Sequence, residues 1–249
     1  MAWTARTIRL HKEAAARLDA IMRDAFAYLG VHPRASEGET KDFILAEMKR
    51  HGIVMDAPFR TPIVGFDASA AEPHYFPVPG RRRLAPGTLV LIDIWGRLRG
   101  ARMPYADITW MRWHGGAKKI PKNIQNVFDL VLRARDACLA SVRAGARKGA
   151  LPVGRDADEL VRATIRRAGH GAHILHSTGH VLGFASPHGR GRNLNPKNRH
   201  RLLANFGYTI EPGVYLKGKF GVRSEMNFYV DAAGHVVVTT KLQRRLVII

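Results

Sequence analysis

The amino-acid sequence predicts an α+β fold in which two helix–helix–strand halves follow one another. Three observations carry that prediction: apolar residues recur at helical spacing in four places, the runs after each pair are strand-like, and this order occurs twice. Leu18, Ile21, Met22, Ala25, Phe26 and Leu29 form one apolar stripe and predict an amphipathic helix over 9–30. Ser36 and Glu39 have the spacing of a capping box and open a second helix through Phe43, Ile44, Leu45 and Met48 that stops near Gly52. Extended segments punctuated by Pro and Gly come next, ending in the apolar run Thr88–Trp95.

The second half repeats the order. Val127, Leu130, Val131, Ala134, Cys138, Ser141 and Val142 mark a third helix. Asp156 and Glu159 are placed to cap a fourth, which runs through Leu160, Val161, Ile165 and Ala168 to Gly169. Strands are expected over 206–216, 222–230 and 236–242. No linker-like or low-complexity segment divides the halves, so a single domain over 1–249 is expected.

Composition narrows the function classes. No apolar run approaches the roughly 18 residues that span a bilayer, and the N-terminal segment lacks the apolar core of a secretory signal. A single cysteine, Cys138, excludes an intrachain disulfide and a cysteine-based zinc site. These features predict a cytoplasmic protein without a membrane partner. The 40 Lys+Arg against 20 Asp+Glu, a formal +20, also favour weak electrostatic association with nucleic acid or the ribosome. The basic residues are scattered in short clusters such as Arg81–Arg83, which fits a solvated arginine-rich surface equally well.

Four acids stand in strand-like contexts: Asp93, Asp107, Glu211 and Glu225. A lone buried carboxylate costs several kcal/mol unless it is paired or binds a cation. Each alone reads as the partner of a nearby arginine or as an exposed strand end. Together with His180 they make the carboxylate/imidazole set that holds two divalent ions. His180 lies in His173–Gly183, four residues after His176. Ser177, Thr178 and Gly179 between them are poor helix formers, so the stretch is expected to be extended. Gly189–Leu194 lacks the Lys-Ser/Thr of a phosphate loop and reads as a turn after His188.

The ordered motifs EPHYFP (72–77), VLIDIW (90–95), YADITW (105–110), HSTGHVLG (176–183), HG (188–189), TIEPGVYL (209–216) and GVRSEMN (221–227) resemble those of the pita-bread metallopeptidases. That family includes methionine aminopeptidase, aminopeptidase P, prolidase and creatinase. The resemblance covers nearly the whole chain and implies the pita-bread fold, with two pseudo-symmetric halves around a curved antiparallel sheet. It implies a two-metal site of Asp93, Asp107, His180, Glu211 and Glu225. Asp93 would chelate one ion, His180 and Glu211 the other, and Asp107 and Glu225 both. Manganese is the foremost metal, with cobalt, iron and zinc as alternatives. A hydroxide between the ions would attack, Glu211 would shuttle its proton, and His74 and His188 would bind substrate and stabilise the tetrahedral intermediate. His176 would be a substrate-binding pocket wall, and Arg223 would orient a ligand carboxylate.

His74 in Glu-Pro-His-Tyr-Phe-Pro and His176 resemble aminopeptidase P more than methionine aminopeptidase. The expected activity is therefore removal of an N-terminal residue from peptides, as an Xaa-Pro-type aminopeptidase or dipeptidase. A creatinase-like hydrolase of a non-peptide C–N bond and a metal-free pita-bread protein binding RNA or the ribosome are the alternatives. Three departures from the family pattern stand out. Fourteen residues separate Asp93 from Asp107, which implies an extended hairpin over 96–104; Trp95 replaces a usual glycine; and His188 follows His180 by one residue more than usual. The N-terminal domain of aminopeptidase P and prolidase is not expected, and a monomer or homodimer is.

Overall fold

The computed structural model describes residues 2–55, 61–116 and 119–249. Helix α1 (Ala5–Val31) begins earlier than its apolar stripe suggests, because Thr4 and Thr7 cap its first turn reciprocally. Helix α2 (Glu37–Arg50) opens on the Ser36/Glu39 capping box read from the sequence. Gly52, at φ 63°, turns the chain out of it. The strands of the first half follow: β1 (Ile53–Val54), β2 (Ile63–Phe66), β3 (Thr88–Leu98) and β4 (Ala106–His114).

Alternation along β3 divides the interior into two cores. Val90, Ile92 and Ile94 face α1 and α2, packing with Leu18, Met22 and Ile44. Leu89, Leu91 and Trp95 face the other way, into a core shared with the helices of the second half. Asp93 lies on that second face, where position parity alone would place an apolar residue. The hairpin is extended as expected. Gly96 pairs with Ala106, and the additional length of β3 pairs with β1 through Arg97 and Leu98.

Helices α3 (Lys122–Arg147) and α4 (Gly154–Arg167) start the second half. Cys138 is buried in α3 as an apolar residue, its thiol pushed up to about 12 chiefly by burial. The expected caps of α4 are not formed. Val153 stands at the N-cap, and Asp156 and Glu159 pair instead with Arg155 and Arg166 on exposed turns. The strands are also shorter than expected. The 206–216 run divides into β5 (Gly207–Ile210) and β6 (Gly213–Leu216), the 222–230 run into β7 (Phe220–Arg223) and β8 (Met226–Val230), and the last into β9 (Val236–Val238). The first break falls at Glu211-Pro212, where proline has no N–H for a ladder. The second falls at Ser224-Glu225. At both breaks a glutamate leaves the ladder and turns toward the same interior space.

β5, β8 and β9 form one antiparallel sheet and β6 and β7 a ribbon. The C-terminal β10 (Val247–Ile248) is an exception to the antiparallel pattern, adding parallel to β4. Side chains join the halves: Asn227 on β8 accepts from the Asp107 N–H at 2.9 Å and donates to the Asp107 carbonyl at 2.7 Å. No described helix is long and apolar enough to cross a membrane.

His11 ties α1 to both halves. Its fully buried ring bonds the Tyr105 carbonyl at 2.9 Å through Nδ1 and the Thr239 hydroxyl at 2.7 Å through Nε2. Burial, aided by Lys12, pulls its pKa from 6.5 down to about 4. A buried imidazole that resists protonation contributes stability that is present above the unfolded value and is lost as pH falls through the folded one. Unfolding by denaturant is therefore expected to lose about 3 kcal/mol between pH 6.5 and 4 on account of this residue. A His11→Gln variant should show a flatter acid limb, and equal slopes for the two proteins would refute the assignment.

Candidate metal centre

The five residues read as ligands come from five separate segments: the four acids line one cavity, and His180 reaches Asp107 and Glu211 from its edge. Asp93 and Asp107 reach it from adjacent strands. Asp107 sits directly across from Trp95, and Asp93 across from Thr109, which puts both carboxylates on the same sheet face. Glu211 and Glu225 reach it from the two strand breaks, held by bonds from their own N–H groups to Thr178 (2.8 Å) and Thr109 (3.2 Å).

His180 arrives on an extended path, as its neighbours predict. Gly179 bridges to Leu194, and Val181 to Tyr208. Position 179 admits only glycine here, because a Cβ would stand 2.2 Å from the Thr209 carbonyl oxygen. His180 donates its backbone N–H to the Thr209 hydroxyl at 2.9 Å, and that hydroxyl donates to Glu211 Oε1 at 3.0 Å. Nδ1 of the ring lies 3.0 Å from the Val181 carbonyl and donates to it, so Nε2 is the nitrogen that faces the acids. Nε2 is 3.3 Å from Glu211 Oε1 and 3.6 Å from Asp107 Oδ2. Ligand atoms of Asp107, His180 and Glu225 lie within 4.8 Å of one another, the span a single cation can bridge.

Electrostatics point the same way. Burial, with Asp93 and Glu211 nearby, drives Asp107 up to about 7 against the pull of His180. Burial and the charges of Asp107, Glu211 and Asp93 hold Glu225 well above the ordinary carboxylate range, and burial raises Asp93 although Arg223 opposes it. His180 is the counter-charge: burial lowers it, but the Asp107 hydrogen bond and the Glu211 and Asp107 charges carry it up to about 9. Burial likewise opposes the charge on Glu211, yet His180, His176 and Arg223 prevail and keep it ionised. Asp93 Oδ1 and Glu225 Oε1 are buried with no hydrogen-bond partner. An unsatisfied buried acceptor costs about 1–3 kcal/mol and a charged one more. A donor set of four carboxylates and one imidazole, two of whose oxygens are orphaned, fits divalent cations.

Arg223 was expected to orient a ligand carboxylate, and its contacts are these. It is buried, pairs with Asp93, donates to the Thr109 hydroxyl at 3.0 Å through Nε, and reaches the Pro73 carbonyl at 3.3 Å. His188 is brought beside the centre despite the longer spacing, since Leu182 bridges to it across a turn. Its ring stands edge-on to His180 at 4.4 Å between centroids. His74 lines the same cavity of about 320 Å³, with Ile63, Phe76, Trp95 and Pro187 as apolar walls. His176 lines an adjoining cavity of about 220 Å³ and bonds the Tyr215 hydroxyl at 2.7 Å through Nε2.

Several positioning residues escaped the sequence reading because their chemistry is ordinary and their partners are distant. Thr109 links Arg223 to Glu225, donating to Oε2 at 3.0 Å. Asp158, read only as part of a helix, is buried and accepts from the Thr178 N–H at 2.9 Å, anchoring the segment that carries His180. A second acid/histidine cluster is formed by Asp24, Glu47 and His51. There Arg50 already pairs with both carboxylates.

Residues 9–232 match the model of metallopeptidase family M24. The chain belongs to this family. An uncharacterized peptidase of Staphylococcus epidermidis is 30% identical over 230 residues, covering 92% of this chain and 59% of that protein. The chain thus spans little more than half the length of such curated relatives. Among solved structures, a dipeptidase from Pyrococcus horikoshii OT3 matches 100% of this M24 chain and 64% of its own, at TM-score 0.85 and 26% identity. An Xaa-Pro dipeptidase from Bacillus anthracis matches at TM-score 0.83 and 25% identity, again over 100% and 64%. The fold of this M24 chain is accordingly the pita-bread fold.

Proposed function

We propose that this M24 domain is a dinuclear metallopeptidase that removes the N-terminal residue from Xaa-Pro-type peptides. The observation that carries the reading is that Asp93, Asp107, Glu211 and Glu225 line one cavity, two of their oxygens buried without partners, with His180 Nε2 3.3 Å from Glu211 and 3.6 Å from Asp107. Asp93, Asp107, His180, Glu211 and Glu225 would hold the ions, Asp107 and Glu225 as the ligands they share. Manganese suits so oxygen-rich a set, and cobalt, iron or zinc would also be accepted. The ions would supply an acidified water as nucleophile and polarise the scissile carbonyl.

The remaining work falls to side chains. Glu211 is held ionised and accepts from Thr209 through Oε1, so Oε2 is the atom to take the proton of the attacking water and pass it to the leaving amine. His74 and His188 line both cavities and flank the place where an oxyanion would develop. His188 is depressed to about 4 by its packed surroundings and by His180, which leaves a neutral ring able to donate from one nitrogen. Arg223 holds Asp93 in place. Ile63, Phe76 and Trp95 exclude water around the substrate's first side chain. His176, depressed to about 4 by burial, is a neutral wall of the pocket. The Xaa-Pro preference is supported by the likeness to the Bacillus anthracis dipeptidase.

Protein purified without chelator is expected to carry about two equivalents of divalent metal, measured by mass spectrometry of the elements. A His180→Ala variant should retain fewer and lose activity on an Xaa-Pro peptide panel. Protein that holds two ions but cleaves none of the panel would overturn the peptidase reading.

A further inference from the structure

The formal charge of +20 is not spread evenly along the chain. No Asp or Glu occurs between Glu159 and Glu211, a stretch that holds Arg190, Arg192, Lys197, Arg199 and Arg201. Folding pins this run beside the turn that joins α3 to α4. Leu194 is buried and bridges to Gly179, Arg201 bridges to Val153, and the Leu202 N–H bonds the Pro152 carbonyl at 3.0 Å. Between the run, the α3–α4 turn and the turn after β8 lies a cavity of about 580 Å³. Ala146, Ala150, Leu202, Ala204 and Ala233 give it apolar walls, and Arg192 and Arg201 line it as well. Arg147 and Lys148 stand exposed between two of those wall positions, at the end of α3.

The two guanidinium groups in the cavity are fixed by backbone. Through Nη1, Arg192 donates to the Arg201 carbonyl at 3.0 Å and Arg201 to the Leu151 carbonyl at 2.8 Å. Their other N–H groups have no carboxylate partner among the described residues. Exposed arginines elsewhere do have one, as Arg17 has Glu13, Arg83 has Glu39 and Arg166 has Glu159. Asp231, the acid in the cavity's lining, is engaged by the His235 N–H at 2.8 Å and by Nδ1 of the same residue at 3.0 Å. Uncompensated positive charge around an apolar hollow complements phosphates joined to flat, uncharged rings. We infer that this face binds single-stranded nucleic acid, with backbone phosphates on the basic rim and a base in the hollow. The rim charges come from several positions, which suits a chain of phosphates. A lipid surface calls for apolar side chains to insert, and none of the exposed large ones (Val31, Phe76, Val78, Leu175, Ile248) lies on these segments. A duplex keeps its bases stacked and offers none to the hollow. The cavity shares no lining residue with the two at the metal centre, so the inference is independent of the peptidase reading.

Fluorescence anisotropy with two labelled probes tests it: a thymidine dodecamer, and an abasic dodecamer with the same phosphates and no bases. The wild type is expected to bind the thymidine probe at least about tenfold more tightly than the abasic one at about 50 mM salt. An Arg192→Gln/Arg201→Gln variant should lose about tenfold for the thymidine probe, and its slope of log K against log salt should be shallower by about 1.4. Those two arginines also brace the backbone, so a second variant, Lys197→Gln/Arg199→Gln, removes two rim charges whose side chains make no bond to the protein among the described residues. It should show the same change of slope. Arg81→Gln/Arg82→Gln removes two exposed charges in the first half and should bind as the wild type does. Equal affinity for the two probes overturns the inference. So does a control variant that loses as much as the rim variants, a slope unchanged in both rim variants, or lack of saturable binding at about 50 mM salt.

Discussion

A Glu225→Gln variant is expected to lose metal and activity while its metal-free form becomes more stable. Glu225 is buried, one of its oxygens has no partner, and burial together with three neighbouring carboxylates opposes its ionisation. In metal-free protein that is a penalty. A carboxyl whose folded pKa is raised binds a proton more tightly in the native state, so its unfavourable contribution is absent below the ordinary value near 4.5 and grows as pH rises above it. Glutamine fills the same space, accepts from Thr109 as the glutamate does, and carries no charge to penalise. Thermal unfolding of chelator-treated protein should therefore show a higher Tm for the variant at pH 7, with the gap closing toward pH 4. Cations reverse the ranking, because they neutralise the glutamate and stabilise only the wild type. Loss of a group that hydrogen-bonds a ligand costs about 10–100-fold in activity or affinity, so loss of Glu225, proposed as a ligand itself, should cost about a hundredfold at least. A variant that keeps two ions, or a metal-free variant less stable than the wild type at pH 7, would remove Glu225 from the centre.

Gly179→Ala is expected to damage fold and site together. The Cβ would stand 2.2 Å from the Thr209 carbonyl oxygen, a backbone atom in a paired strand that cannot swing aside. Relief requires the Thr178–His180 segment and β5 to separate. That movement breaks the bonds from His180 to Thr209 and from Glu211 to Thr178, which position two of the five proposed ligands. Overpacking of this kind costs about 3 kcal/mol. At about 3 °C per kcal/mol for a chain of this size, Tm should fall by roughly 9 °C. Metal content should fall below two equivalents in the same preparation. Gly30→Ala is the control, since a Cβ there meets nothing within 4 Å and α1 only gains a better helix former. If the two variants melt alike, the close approach at Gly179 is not a constraint.

The candidate ligands were legible because a carboxylate in a strand is a conspicuous departure from pattern. Asp93 interrupts the run Leu89–Trp95, and only a cation or a buried partner makes such a position tenable. The structure supplies the partner: Arg223 holds one oxygen, and the other is buried without a hydrogen bond, as the proposed cation site requires. His180 was legible for a related reason, since Ser177–Gly179 excludes the helix that its spacing from His176 would otherwise suggest. The strand ends were less legible. Glu211 and Glu225 read as interior to long strands, whereas each stands at a break that turns its side chain inward. Periodicity counts residues and does not register a ladder that stops for one or two of them. The caps of α4 failed similarly, because Asp156 and Glu159 have exposed arginine partners closer to hand.

By itself the sequence determined the halves, the helices, and which residue types are available to hold metal, since these follow from local pattern and from the cost of burying charge. Tertiary structure decided which atoms of these residues face one another and what surrounds them. Thr109, Asp158 and Asn227 act by hydrogen bonds whose value depends on where a distant backbone lies, as with Asn227 and Asp107, 120 residues apart in sequence. A polar side chain acquires such a role only when folding brings its partner within about 3 Å. Sequence spacing carries no record of that distance.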